Sequence, residues 1–382
     1  LAFAMFYATL GIPIASLADR WSRTKVLAIS MIIWSAMTAL CGAANNFLML
    51  LLARIGVGVG EAGASPPSHS LISDYFPVEK RATALSIYAL GIPFGSMIGN
   101  FVGGWGAAEL GWRMTFLLVG LPGIFVAGII LTTLREPPRG MSESAAVKAA
   151  AAKNDEPAPA LKEVFKFLWQ RKSFRHLGFA AGLHAFVGYG AGVWNAPFLI
   201  RSHEMPITEV GSWLAIISGI GAIGTFGGGY LGDKLSDWTD DRRWYLWIAG
   251  ISTLVMVPFQ FTAYLYDGIW TVIPALAVVS ILGGMYLGPS FAMTQALVTL
   301  RMRAVASALL LFMLNIIGMG LGPYFVGIAS DLLNPSFEIH SLRYALCLCV
   351  LANLWAAVHY FLGATTLRED LDSTEVLMTQ HS

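Results

Sequence analysis

Asp19-Arg20-Trp21-Ser22-Arg23-Thr24-Lys25 is a charged turn set between two runs without charge, residues 1–18 and 26–44. Each run is close to the roughly 20 residues that a hydrocarbon core of about 30 Å requires at about 1.5 Å per residue, so the turn reads as a loop between two membrane helices. The pattern continues outward through 47–71, 82–107, 113–134, 174–199, 209–232, 244–266, 270–298, 304–330 and 343–366, which makes eleven expected spans. Of the 382 residues 56% are hydrophobic and 12% charged, and a chain with so little charge cannot cover itself in water. The fold class expected is an all-α membrane protein.

With 24 Lys and Arg against 23 Asp and Glu, the net charge of +1 gives no bulk attraction to nucleic acid. Cys41, Cys347 and Cys349 lie inside apolar runs, which excludes a disulfide framework, and no Cys/His spacing resembles a zinc site. Neither a metal nor another cofactor is expected. Arg20, Arg23, Lys25, Lys80, Arg81, the basic residues from Arg135 to Arg175, Lys234, Arg242, Arg243, Arg301, Arg303 and Arg368 fall on alternate loops. The positive-inside rule makes that side cytoplasmic, together with the long linker and the C-terminus. An inner or plasma membrane is the expected location.

The expected organisation is a first bundle over 1–134, a polar linker over 135–172, a second bundle over 173–367 and a tail over 368–382. Within the linker, Leu161, Val164, Phe165 and Leu168 alternate with Lys162, Lys166, Arg171 and Lys172, the spacing either of a basic helix on the membrane surface or of a solvated connector. The acidic tail, with Glu369, Asp370, Asp372 and Glu375, reads as disordered. An internal repeat crosses the linker: Asp19-Arg20 is echoed by Asp233-Lys234, and Arg81-Ala82-Thr83-Ala84 by Arg303-Ala304-Val305-Ala306. The halves align when one opening helix is taken to precede Leu1, an expected design of six plus six spans with five plus six present.

Two parallel halves joined by a long loop, with charged turns at matching places, resemble the major facilitator superfamily of secondary transporters. The turn from Asp19 to Lys25 is similar to that superfamily's loop motif, with Ala15 in place of its usual glycine. Arg54-Ile55-Gly56-Val57-Gly58-Val59-Gly60-Glu61-Ala62, Pro66, Asp74-Tyr75-Phe76, Ile92-Pro93-Phe94-Gly95, Gly111-Trp112-Arg113 and Arg135-Glu136-Pro137-Pro138-Arg139-Gly140 together resemble the Spinster family. That resemblance implies movement of sphingoid or lysophospholipid-type lipids, with proton coupling in some members.

Arg54 and Glu61 are the basic and the acidic residue expected at mid-depth in a span, where charge is costly and function is the default reading. Two turns apart, they share a helix face at about 10 Å. A carboxyl in an apolar cavity has its charged form disfavoured, which equips it to take up and release a proton. A purely structural polar network is the alternative. Gly58, Gly60 and Gly63 match a dinucleotide fingerprint, but inside a membrane span they read as close helix packing. The ladder Gly91, Gly95, Gly99, Gly103 reads the same way; it also resembles the superfamily's antiporter motif, with Asn100 in place of proline.

Asp19, Arg23, Asp233 and Lys234, extended by Arg81 and Asp74, form an expected cytoplasmic gate that pairs across the halves; a local helix-dipole role is the alternative. The expected substrate cavity draws on Tyr88, Asn100, His184, Tyr189, Trp194, Asn195, Tyr286, Gln295 and Asn315. Scarce charge among many apolar walls suits an amphiphile with a long tail and a small ionic head. The function expected is alternating-access transport of such amphiphiles by a monomer, with protons as partner. The rivals are a drug or organic-anion exporter, a membrane enzyme and a receptor scaffold. No nucleophile and base pair supports an enzyme, and no Walker motif supports ATP drive.

Overall fold

The computed structural model describes residues 3, 5–7, 9, 10, 14, 21–76, 84, 87, 88, 90–138, 141, 142, 161–299 and 302–380. Among these the regular structure is helical, with no strand. Seven helical stretches among them are long and apolar enough to cross a membrane. Contacts divide the chain into two compact units, residues 2–157 and 158–382.

The first unit contains α1 (Arg23–Gly42), α2 (Phe47–Glu61), α3 (Ser65–Tyr75), α4 (Gly91–Glu109) and α5 (Gly111–Thr133). Ser22 caps α1 by accepting from the Lys25 amide, and Asn46 caps α2 by accepting from the Met49 amide, so the charged turn and its successor fix where each helix begins. Helix α1 is central, packed on both α2 and α5. The approach of α2 is backbone to backbone: a Cβ on Gly60 would stand 2.6 Å from the Trp34 nitrogen, and one on Gly63 would strike the Ser30 hydroxyl. These glycines therefore serve packing. The ladder does not. A Cβ on Gly91, Gly95, Gly99 or Gly103 would meet nothing within 4 Å, whereas one on Gly106 would stand 2.7 Å from the Thr115 hydroxyl. Helix α4 touches α5 through a different stripe from the one the four-residue spacing suggested.

The second unit contains α6 (Leu161–Gln170), α7 (Lys172–His203), α8 (Ile207–Thr239), α9 (Trp244–Leu265), α10 (Ile269–Gly284), α11 (Leu287–Ala296), α12 (Arg303–Met313), a π-helical segment (Leu314–Leu321), α13 (Gly322–Phe337) and α14 (Ser341–Gln380). Helix α14 packs along α7, α9 and α13. One apolar cluster gathers Val187, Phe198, Tyr264, Val272 and Leu342; the other gathers Phe174, Leu177, Leu246, Leu310 and Tyr360. Val164 and Leu168 of α6 and Leu371 of α14 join the second cluster. The linker helix is thus seated on protein along one face. The tail, expected to be disordered, instead prolongs α14 to Gln380: Leu371 and Thr374 are buried, and Asp370 accepts from the Ser173 amide and hydroxyl at 2.9 and 2.6 Å. Asp370 is thus partnered, which composition alone does not reveal.

Two spans are interrupted at similar depth. The apolar stretch Phe47–Ile72 breaks after the 15 residues of α2, and Ile269–Ala296 breaks after the 16 residues of α10. Broken helices at corresponding places in two halves are where membrane carriers concentrate their sites, because the break frees backbone groups that need partners.

Candidate functional site

In the first unit the break falls directly after Glu61. Its carbonyl accepts from the Ala64 amide at 3.0 Å across the turn, and Pro66 and Pro67 then restart the helix as α3. The Glu61 side chain is half-buried and, among the described residues, makes neither a hydrogen bond nor an ion pair. Arg54 acts on it only at a distance. The Arg54 guanidinium carbon instead lies 5.4 Å from the Phe3 ring centre. A bridged Arg54–Glu61 network is absent among the described residues. Just past the break, Tyr88 donates to the Ser65 hydroxyl at 3.5 Å, and its ring meets His69 edge-on at 5.2 Å. Glu61, Ser65, His69 and Tyr88 thus gather polar groups around one interruption. Asn100 is half-buried in α4.

The second unit's break lies at Met285 and Tyr286. His184 of α7 is buried there, its Nδ1 2.8 Å from the Thr253 hydroxyl and its Nε2 3.1 Å from the Gly283 carbonyl, with the Tyr286 ring centre 3.9 Å away. Both ring nitrogens are engaged, so His184 pins α7 to α9 and α10. Trp194 donates to the Pro323 carbonyl at 2.8 Å, and Asn195 accepts from the Tyr264 hydroxyl at 3.1 Å. These two also serve as ties between helices. Gln295 is exposed and donates to the Ser307 hydroxyl at 2.9 Å. Tyr189 is 42% exposed. Asn315 is 5% exposed inside the π-helical segment and makes no hydrogen bond among the described residues. A π-helical stretch widens the helix and is frequent at functional positions.

At the helix ends, Arg23 is almost fully buried. It forms an ion pair with Asp74, and donates to Glu136 at 2.8 Å, the Ser70 hydroxyl at 2.8 Å and the Pro137 carbonyl at 2.9 Å. Glu136 also accepts from the Ser22 hydroxyl at 2.8 Å and the Thr24 amide at 2.9 Å. Burial pushes the Glu136 carboxyl up, but the Thr24 amide, the Arg23 guanidinium and the Ser22 hydroxyl together hold it down at about 2. In the second unit the Tyr245 hydroxyl donates to Asp233 at 2.6 Å, and Lys234 lies 5.6 Å from the Tyr230 ring centre. Asp241 accepts from Arg243 at 2.8 Å and from Arg368 at 2.9 Å; chiefly through Arg243, its carboxyl is held at about 2.

Arg23, Asp233 and Lys234, expected to pair across the halves, therefore have partners within their own unit. Asp19 and Arg81 lie outside the described residues. Ser70, Glu136, Asp241 and Arg368 were not singled out as functional from sequence. For Glu136 the signal was present in Arg135-Glu136-Pro137-Pro138, a charged pair halted by prolines at a helix end. No group of three or more His, Cys, Asp or Glu side chains able to hold a metal occurs among the described residues.

Two interrupted spans at matching depth and charged ties at the helix ends describe a membrane carrier, and a family model described as the Major Facilitator Superfamily matches residues 1–365. The chain belongs to that superfamily and is a multi-pass integral membrane transporter of a small-molecule substrate, not an enzyme. A crystal structure of a bacterial homolog of the human lysosomal transporter Spinster, inward-facing and unoccupied, superposes with a TM-score of 0.84 at 31% identity, covering 97% of this chain and 88% of that one. An occupied inward-facing structure gives 0.79 at 32% over the same shares. In sequence, an MFS-type efflux pump of Mycolicibacterium smegmatis is 32% identical, covering 97% of this chain and 83% of the relative. Protein spinster homolog 3 of Danio rerio is 26% identical, covering 94% and 75%.

Proposed function

We propose that this chain is a proton-coupled secondary transporter of lipid-like amphiphiles, lysophospholipids or sphingoid lipids, working by alternating access as a monomer in an inner or plasma membrane. The observation that carries the proton role is Glu61: a half-buried carboxyl at the break of a membrane span, with no hydrogen bond or ion pair among the described residues. An acid already locked in an ion pair is a poor proton carrier, because its charged form is held; one without such a partner exchanges its proton as its surroundings change. Arg54, two turns away on the same face, is the basic residue assigned to this coupling. Within the first unit, the Tyr88–Ser65 pair offers polar groups to a head group. The lipid class is supported by likeness to spinster homologues, among them one in Arabidopsis thaliana named a probable sphingolipid transporter, 27% identical over 70% of this chain and 58% of that relative. The linker and C-terminus are assigned to the cytoplasmic side by their basic residues.

The test is uptake of a labelled lysophospholipid into liposomes, with and without an imposed pH gradient, beside Glu61→Gln. Gradient-driven uptake that disappears in the variant is the expected result. Uptake by Glu61→Gln with wild-type dependence on pH would refute the proton role. A second reading, export of drugs or organic anions, is favoured by likeness to the mycobacterial efflux pump. It predicts no lysophospholipid uptake by the folded protein, together with efflux of lipophilic ions.

A further inference from the structure

Two apolar stripes run along α6, and the protein covers one of them. Val164 and Leu168, four residues apart, are fully buried in the second unit's core. Leu161, Phe165 and Trp169, at the same four-residue spacing and one step round the helix, are 42%, 43% and 36% exposed. Phe165 stacks on Trp169 with ring centres 5.3 Å apart, and Trp169 meets Phe179 of α7 at 6.1 Å. With Phe312 and Met313 of α12 they line a groove of about 480 Å³, apolar apart from Lys162. Phe179 stands seven residues into α7 and Phe312 nine into α12. At about 1.5 Å per residue the groove therefore descends roughly 10 to 14 Å from the helix starts, within the roughly 15 Å of hydrocarbon in one leaflet.

The next step round α6, away from Val164 and Leu168, brings Lys162 and Lys166. Both are exposed, and neither makes an ion pair among the described residues. Glu163 lies further round still. The order protein-facing stripe, exposed aromatic stripe, basic pair is that of a helix lying at the membrane boundary beside negative head groups.

We propose that this groove binds an anionic phospholipid of the bilayer, its acyl chain against Phe165, Trp169, Phe179 and Phe312 and its head group paired with Lys162 and Lys166. A free phosphate would leave the apolar walls uncovered, and a zwitterionic lipid would leave the basic pair without a net opposite charge. The bound lipid holds α6 at the membrane boundary. The site lies wholly within the second unit and does not depend on which substrate is transported.

The experiment places the full chain in nanodiscs of equimolar phosphatidylglycerol and phosphatidylcholine, brominated on one lipid at a time. Trp169 quenching is read as the difference between wild type and Trp169→Phe. The expected result is quenching mainly by the brominated anionic lipid, a preference of roughly tenfold, lost in the Lys162→Gln/Lys166→Gln pair with the melting temperature unchanged. Equal quenching by the two lipids would reduce the groove to ordinary solvation by the bilayer and overturn the proposal. Absence of quenching by either would mean that protein covers the groove, which also overturns it. Native mass spectrometry of retained lipid in the same lysine variant supplies a readout that does not require Trp169→Phe to fold.

Discussion

Both units fasten the helix that follows their charged turn, but with the charges exchanged. In the first unit the base is at the helix start: Arg23, 1% exposed, is held by Asp74 and by Glu136 beyond α5. In the second the acid precedes the helix: Asp241 is held by Arg243 and by Arg368 from late in α14. In each half the end of the chain segment thus returns a charge opposite to the one near the helix start, Glu136 to Arg23 and Arg368 to Asp241. What differs is depth. Arg23 and Asp74 are enclosed and Glu136 is 34% exposed, whereas the Arg368 side chain is 60% exposed. A buried charge deprived of its partner has no water to turn to; an exposed one does.

The sharpest way to break this comparison is Arg23→Ala, which takes a buried guanidinium away from Asp74 and Glu136 and costs about 3–5 kcal/mol. A fall in melting temperature in detergent, or loss of folded protein, is expected. Gly224→Ala comes next. Its Cβ would run into the Ile281 carbonyl, so the close approach of α8 to α10 must open, at about 1–3 kcal/mol. The acid limb of stability separates the two ties further. The Glu136 carboxyl, held at about 2 against an ordinary 4.5, stabilises the fold fully above the ordinary value and loses that contribution as pH falls from about 4.5 through about 2. The melting temperatures of wild type and Glu136→Gln are therefore expected to converge over that window. The difference at neutral pH is modest, because the side chain is 34% exposed and screened by solvent. Arg368→Ala costs only about 0.2–1 kcal/mol, since Asp241 keeps Arg243. Should it match Arg23→Ala in chemical or thermal denaturation, the contrast in depth would be wrong. Gly95→Ala closes the series with the opposite sign: nothing lies within 4 Å of its added Cβ, and alanine favours a helix over glycine by up to about 1 kcal/mol.

Much of the candidate site was legible in the chain. Glu61 and Arg54 stood out because charge within an apolar run is costly wherever the run folds. The role of Gly60 followed from small residues inside a span, and its contact with Trp34 bears this out. The ladder from Gly91 to Gly103 carried the same signature and yet meets nothing, because small size permits approach without dictating which stripe is approached. His184 looked available to a ligand; only the fold brought Thr253 and the Gly283 carbonyl to its two nitrogens. The break after Glu61 was foreshadowed by Pro66 and Pro67. The matching break at Met285 is likewise followed by a proline, Pro289, at the third position of α11 as Pro67 is of α3.

By itself, then, the sequence determined that this is a helical membrane protein built as two related halves, and that a carboxyl lies inside one of its spans. Those properties depend on run length, charge and repeat spacing, which are local and survive any detail of packing. The tertiary structure decided the partners. Arg23 meets Asp74 and Glu136 from 51 and 113 residues away, Arg171 meets Thr374 from 203 away, and the acidic tail becomes the end of a packed helix. Such pairings depend on how helices cross and how far each is turned about its axis, and side-chain contacts across many helices set those angles together.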